Sequence, residues 1–391
     1  MLHDNHIGAL VVGGDHPGLG VARSLGRRGI PVFIMEDQLS VSRYSRYVTR
    51  EIQVHDIRNE RATVDAVLKV GHQFGLEGWV LFPTRDEHVA AFSRYRKELS
   101  EFFRVTTPEW ETTKWAWDKK NSYELAQKLG IPTPQTWNLS RSDELRTLYS
   151  HLPLAIKPSI KEHFFYATQA KAWRANTPEQ LHRLYEKAAS QIRTEEILIQ
   201  EIIPGDGYEQ YSYCAFRQSG QVHSSLVARR LRQHPREFGR AATYVETAEM
   251  PIVEELSERF LTSIDYYGLV EIEFKHDVRD GRYKLLDVNA RAWGFHSIGL
   301  EAGVDFPYLL FADQIGLTVE RNRGQAGVGW LRLITDIPTA FSQLLGGHLS
   351  AHSYIESLKN TRVESVFCKE DPLPSLSEIV LLPYLAMKKY F

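Results

Sequence analysis

The sequence predicts a chain of mixed class, an α/β unit on a parallel sheet followed by an α+β unit on antiparallel hairpins. Between Ala9 and Phe82 short apolar runs alternate with helical stretches, the order that places helices on both faces of a parallel sheet. From Leu154 onward, strands follow one another through hairpins. The 391 residues are enough for roughly two or three domains, each burying its own core.

In chain order, residues 9–12 read as a strand and 19–28 as a helix stopped by Gly29. A strand follows over 31–35, a helix over 62–74 and a strand over 79–82. Ligands of open sheets sit beyond the carboxyl ends of the strands. The loops GGDHPG and PTRDE (83–87) occupy that position. DKKNSYELAQKLG is a helix with Leu125 and Leu129 on one face and Gly130 as its stop, and IPTP is a rigid exit. PLAIKPS, ILIQEII, YEQYSYCAF and GQVHSSLVARR read as strands, 252–264 as a helix, and GLVEIEFKHDVRDGRYKLLDVNAR as a closing hairpin. These patterns divide the chain into 1–106, 107–318 and a C-terminal extension, 319–391, that the pattern does not classify.

A formal net charge of −2 gives no global attraction to nucleic acid. Cys214 and Cys368 cannot make a disulfide framework and suit a reducing compartment, with Cys214 read as packing. No run is long and apolar enough to span a bilayer, and MLHDNHIGAL lacks the basic start and long apolar core of a signal peptide. A cytoplasmic protein is expected.

LVVGGDHPGLG invites a dinucleotide site, with Glu36 and Asp37 following the next strand as a ribose-binding acid would. The fingerprint needs a middle glycine so that backbone can approach the phosphates, and here that position is Asp15. The closing hairpin is more informative. Glu271 and Glu273 share one face of VEIEF, and Asp287 and Asn289 share one face of LLDVNAR. The two sets meet if odd positions face odd positions, which a three- or five-residue turn around Val278–Asp280 would achieve, with Gly281 as its left-handed residue. The result is an all-oxygen cluster suited to Mg²⁺, with Arg291 supplying fixed positive charge. On these residues alone a solvated hairpin face is the alternative.

Several motifs appear together in one order: Asp118-Lys119, LAIK ending in Lys157, QEIIPG (200–205), IEF with Glu273, and LLDVNAR with Asp287, Asn289 and Arg291. In this the chain resembles the ATP-grasp superfamily over roughly residues 1–316, in the carboxylate–amine ligase branch of biotin carboxylase, carbamoyl-phosphate synthetase and D-alanine–D-alanine ligase. The resemblance implies a Rossmann-like pre-ATP-grasp domain, a two-lobed ATP-grasp domain, and ATP with Mg²⁺, or Mn²⁺, as cofactors. Lys119 and Lys157 would face the ATP phosphates, Glu201 and Ile203 would offer backbone groups to adenine, and Glu209, with Asp206 as rival, would take the ribose. Glu273, Asp287 and Asn289 would hold the metal, supported by Glu271, and Arg291 would be catalytic. Arg85 and Asp86 would face the substrate, as would Arg230 and Arg232 from the arginine-rich stretch 228–240.

Two departures stand out. KPSIKEHFFYATQAKAW, where relatives carry a glycine-rich lid, has no glycine, so Lys161, His163 or Lys171 would serve the phosphates instead; Asp287 replaces a more usual glutamate. The implied activity joins a small-molecule carboxylate to an amine through an acyl phosphate. A small-molecule kinase and a non-catalytic nucleotide-binding regulator are the alternatives, with a nicotinamide oxidoreductase third. No nucleic-acid partner or membrane span is expected; the oligomeric state stays open, a homodimer among its options. The tail SEIVLLPYLAMKKYF is expected to cover its own domain, with docking on a membrane surface or partner as the alternative.

Overall fold

The computed structural model describes residues 7–139, 141–205, 208–218, 220–239 and 241–387. Asp206 and Arg240 lie outside the described residues. The first sheet holds β1 (Ala9–Val12), β2 (Val32–Glu36), β3 (Arg50–Gln53), β4 (Val80–Pro83) and β5 (Arg104–Val105) in the order β3-β2-β1-β4-β5. All its pairings are parallel. The strand order reverses between β1 and β4, so their carboxyl ends open a crevice there. Leu10 and Val12 pack on one face with Val64, Val67 and Phe92. Ala9 and Val11 pack on the other with Val21, Leu25 and, from far along the chain, Trp293 and Phe306. Gly13 leaves β1 with φ +101°, and a Cβ there would stand 2.0 Å from Thr84 Oγ1, so only glycine fits.

The second sheet holds β6 (Thr136–Trp137), β7 (Leu154–Pro158), β8 (Trp173–Ala175) and β9 (Ile197–Glu201) in the order β6-β9-β7-β8, all antiparallel. Between β7 and β8 the glycine-free stretch forms a short helix, Lys161–Thr168. The third sheet holds β10 (Gln210–Gln218), β11 (Gln221–His234), β12 (Ala241–Ala248), β13 (Gly268–Asp277), β14 (Arg282–Asn289), β15 (Gly329–Leu331) and β16 (Thr361–Glu364). Its order is β14-β13-β10-β11-β12-β15-β16, so the closing hairpin forms one edge and the C-terminal extension supplies the other.

The mixed class predicted from the sequence is therefore the observed one. The extension is tied in by buried ion pairs. The Arg232 guanidinium donates to both carboxylate oxygens of Asp336 at 2.8 and 3.0 Å, and Thr243 Oγ1 donates to Asp336 at 2.7 Å. Arg23 and Ser45 of the first unit donate to Asp371 at 2.9 and 2.7 Å. Removing one partner of a buried pair leaves an uncompensated charge, so Asp336→Ala is expected to lower unfolding free energy by about 3–5 kcal/mol in a urea titration.

Candidate active site

The closing hairpin brings its polar residues together, though not by the route its sequence suggests. Asp277 faces Arg282, which leaves a four-residue turn and sets odd positions opposite even ones near the turn. Further along, Phe274 faces Leu285 but Glu273 faces Asp287. Leu286 is thus an extra residue, a β-bulge that reverses the parity. Beyond it Glu273 faces Asp287 and Glu271 faces Asn289, so the predicted cluster forms while the predicted three- or five-residue turn is replaced by a bulge. The opposite face carries Val270, Ile272 and Phe274 into the core, which holds the register.

Asn289 Nδ2 donates to Glu271 at 3.1 Å and to Glu273 at 3.3 Å, and Ser212 Oγ donates to Glu271 at 2.8 Å. Arg230 pairs with Glu273 at 3.1 Å, and Lys119 with Asp287 at 2.7 Å. Burial opposes the charge on Glu273, but Arg230, Lys171 and Lys119 outweigh it and hold the carboxyl below its usual range. Glu271 moves the other way, pushed up by burial and by the neighbouring Glu273 charge. Burial also opposes the charge on Lys119, and the Asp287 carboxylate more than offsets it.

The bulge is tied to the second lysine. Tyr123, on the helix Lys119–Lys128 capped by the Asp118 carboxylate at 2.8 Å, donates its hydroxyl to the Leu286 carbonyl at 2.9 Å. That hydroxyl accepts from Lys157 Nζ at 2.7 Å. Tyr123 carries no motif, and nothing in the sequence singles it out. Beside Lys119, whose backbone amide donates to the Ser159 carbonyl at 3.1 Å, the buried Ser159 hydroxyl has no hydrogen-bond partner among the described residues.

A second network joins the first unit to the region that follows it. Arg291 grips Asp86 through two bonds of 2.6 and 3.0 Å, and Lys161 donates to the same carboxylate at 2.6 Å. These cations overcome the burial of Asp86 and hold it ionised. Tyr166 of the lid helix donates to Glu87, and the Arg58 guanidinium stacks on its ring, so the helix rests on the first unit.

In the connection QEIIPG, the Glu201 side chain is committed to structure, accepting from the Gln135 amide and Lys284 at 2.9 Å each and from Arg279 at 2.7 Å. Its amide is committed too, donating to the Gln135 carbonyl at 2.9 Å. The Ile203 carbonyl accepts from Lys275 at 2.9 Å, while its amide has no partner among the described residues. Glu209 lies half-exposed, 3.5 Å from His276 and 3.7 Å from Arg229, outside the carboxylate cluster.

Two expectations need correction. Arg232 faces no cleft, because its guanidinium is spent on Asp336 and on Ser357 at 2.9 Å. His163 turns to Glu196 at 2.7 Å, leaving Lys161 and Lys171 as the lid cations near the cluster. Arg85 is engaged with Glu36 at 2.9 Å, and Glu36 also accepts from the Gly14 amide at 2.6 Å. An internal carboxylate thus occupies the loop amide a pyrophosphate would need, which removes the dinucleotide reading.

The donor set fits a hard divalent cation in chemistry. Two carboxylates and an amide oxygen come from adjacent positions on β13 and β14, while no group of three or more His, Cys, Asp and Glu side chains is arranged to hold a metal ion among the described residues. Such a set suits Mg²⁺, which binds through one or two carboxylates and completes its shell with water and phosphate.

No family model matches the chain. The D-aspartate ligase of Enterococcus faecium (strain Aus0004) is 24% identical over 303 residues, spanning 72% of this chain and 70% of that protein. The biotin carboxylase domain of the Hydrogenobacter thermophilus 2-oxoglutarate carboxylase, a dimer in complex with MgADP, ADP and bicarbonate, matches with a TM-score of 0.66 at 14% identity. That match covers 83% of this chain and 74% of the other. The L-amino acid ligase of Bacillus licheniformis matches with a TM-score of 0.62 at 15% identity, over 79% of this chain and 74% of the other.

Two outcomes are expected from the geometry. Tyr123→Phe strands the Leu286 carbonyl and frees Lys157, and should cost about 1–3 kcal/mol of unfolding free energy by urea titration. Burial, with Lys161 and Arg230 nearby, pushes the Lys171 amine down to about 8, so above that pH it is largely neutral. The pH profile of its acylation, read by mass spectrometry, should therefore rise around pH 8, below that of exposed lysines, whose amines titrate near ~10.4.

Proposed function

From the ATP-grasp fold that the chain shares with these structures, we propose that it is an ATP-dependent ligase that joins a carboxylate to an amine through an acyl phosphate. The observation that carries this reading is the convergence of Lys119 and Lys157 on the hairpin that aligns Glu273, Asp287 and Asn289. Phosphoryl transfer asks little covalent chemistry of a protein; it asks for placed charge around the transferring group. In the proposed reaction the substrate carboxylate oxygen attacks the γ-phosphorus and ADP leaves with the electron pair of the broken bond. The amine nitrogen then attacks the acyl carbon, phosphate departs, and the ammonium proton is released.

Lys119 and Lys157 act as point charges on the phosphates, and the Ser159 hydroxyl is available to a phosphate oxygen. Bound Mg²⁺, for which Mn²⁺ is a substitute, would be held by Glu273, Asp287 and Asn289 and would neutralise phosphate charge. The backbone of Glu201 and Ile203 meets adenine, and Glu209 the ribose. Arg230 and Lys171 stand beside Glu273 and complement the charge of the phosphoryl group. Arg291 and Lys161, held by Asp86, frame the acceptor side, and Arg85 contributes from the crevice of the first sheet. Relatives named for D-aspartate and L-amino acid ligation make an amino acid the first class to screen as one substrate. Two free cysteines suit action in a reducing, cytoplasmic compartment.

Calorimetric titration with Mg²⁺ and a non-hydrolysable ATP analogue tests the site. The wild type should bind in a metal-dependent manner, and Glu273→Ala and Asp287→Ala should lose that dependence. In steady-state ADP release, Asp287→Ala should reduce turnover by about 10²–10³-fold, the range for removing one preorganised stabilising group. Failure of the folded wild type to bind, or ordinary turnover by Asp287→Ala, would overturn the assignment.

A further inference from the structure

The C-terminal extension carries a helix, Leu333–Leu345, whose amphipathicity is inverted. Its inward face against β11 and β12 buries Asp336, Thr339 and Gln343, while Ile337, Phe341 and Leu345 point outward. Leu345 is 75% exposed. A helix facing water presents the opposite arrangement. The closing helix, Leu373–Met387, repeats the pattern with Leu376, Ile379 and Val380 exposed, Val380 by 78%. Its one charged side chain, Glu378, is buried and accepts from Arg332 at 2.9 Å. The tail therefore covers its own fold with one face only, and the outer faces of both helices are apolar.

We propose that these outer faces dock on an anionic lipid surface. The sequence after the closing helix indicates the occupant: Lys388, Lys389, Tyr390 and Phe391, which lie outside the described residues. Two cations and two aromatic rings next to an apolar helix match the chemistry of a headgroup layer, where ammonium groups meet lipid phosphate and rings sit at the acyl boundary. A purely apolar protein partner would have no use for that pair of charges. Among the described residues no helix is long and apolar enough to cross a membrane, and Pro383 interrupts this one, so it lies on the surface.

Co-sedimentation of the full chain tests this with vesicles of phosphatidylcholine alone and of phosphatidylcholine with phosphatidylserine at about 7:3. The chain should pellet with the anionic vesicles, less with the neutral ones, and less as salt rises. At about fivefold in partitioning per lysine, Lys388→Gln with Lys389→Gln should weaken binding by about 30-fold. Ile379→Glu with Val380→Glu, and separately Ile337→Glu, should abolish it without lowering the thermal unfolding midpoint, because these side chains are exposed. Failure to pellet with anionic vesicles would overturn the proposal, as would pelleting that these variants leave unchanged. Self-association that Ile379→Glu with Val380→Glu abolishes, without any vesicle binding, would assign the face to a second copy of the chain and overturn it equally.

Discussion

Leu286 enters β14 as one residue too many, and the polar contacts of the candidate site inherit the parity change that it makes. On the turn side of the bulge the hairpin pairs odd positions with even ones; beyond it Glu273 faces Asp287 and Glu271 faces Asn289. Without the extra residue, the even-numbered apolar neighbours would take the place of Asp287 and Asn289 beside the glutamates. The bulge breaks the ladder locally, and its freed carbonyl is satisfied by Tyr123, whose hydroxyl also receives Lys157. The irregularity that aligns the carboxylates thus also positions one of the two lysines.

Charge balance explains how so many ionisable groups share one small volume. Three carboxylates near the hairpin have cations of their own: Asp287 has Lys119, Glu273 has Arg230, and Asp86 has Arg291 and Lys161. Glu271, bonded to Ser212 and Asn289 and next to Glu273, is pushed toward its neutral form, as is Glu162 by burial and the Asp86 charge. The cations are therefore paired internally in a way that a phosphate chain and a metal ion can exchange for external partners. Asp86 also joins the exit of β14, the first unit and the helix Lys161–Thr168 at one carboxylate.

Much of the fold and of the candidate site was legible because local chemistry records it. Short apolar runs alternating with helical stretches located β1, β2 and β4, and alternation located the hairpin strands. In the first sheet, Arg50–Gln53 and Arg104–Val105 escaped notice because they are short edge strands that carry charged residues; Thr136–Trp137, Trp173–Ala175, Ala241–Ala248, Gly329–Leu331 and Thr361–Glu364 in the other sheets escaped notice too. The cluster was found by face-sharing, yet its cause was misplaced: a bulge at an apolar Leu286 leaves no sequence signal, whereas glycine at 281 drew attention to the turn. Arg232 and Arg230 look alike in ARRLRQ, and only the arrival of Asp336 from the extension separates a buried tie from a site residue. Tyr123 was invisible for the same reason, since its two partners come from distant strands.

In the proposed reaction this charge arrangement activates a carboxylate as an acyl phosphate. The most direct test supplies carboxylates labelled with oxygen-18, each with its amine, to acid–amine pairs screened for ADP release, and reads the isotope in the inorganic phosphate by mass spectrometry. The account predicts that one labelled oxygen passes from the carboxylate to phosphate in each turnover, because the acyl carbon keeps the other when the amine displaces phosphate. Phosphate released without label while ADP and the amide accumulate would contradict it, as would the absence of ADP release with every pair.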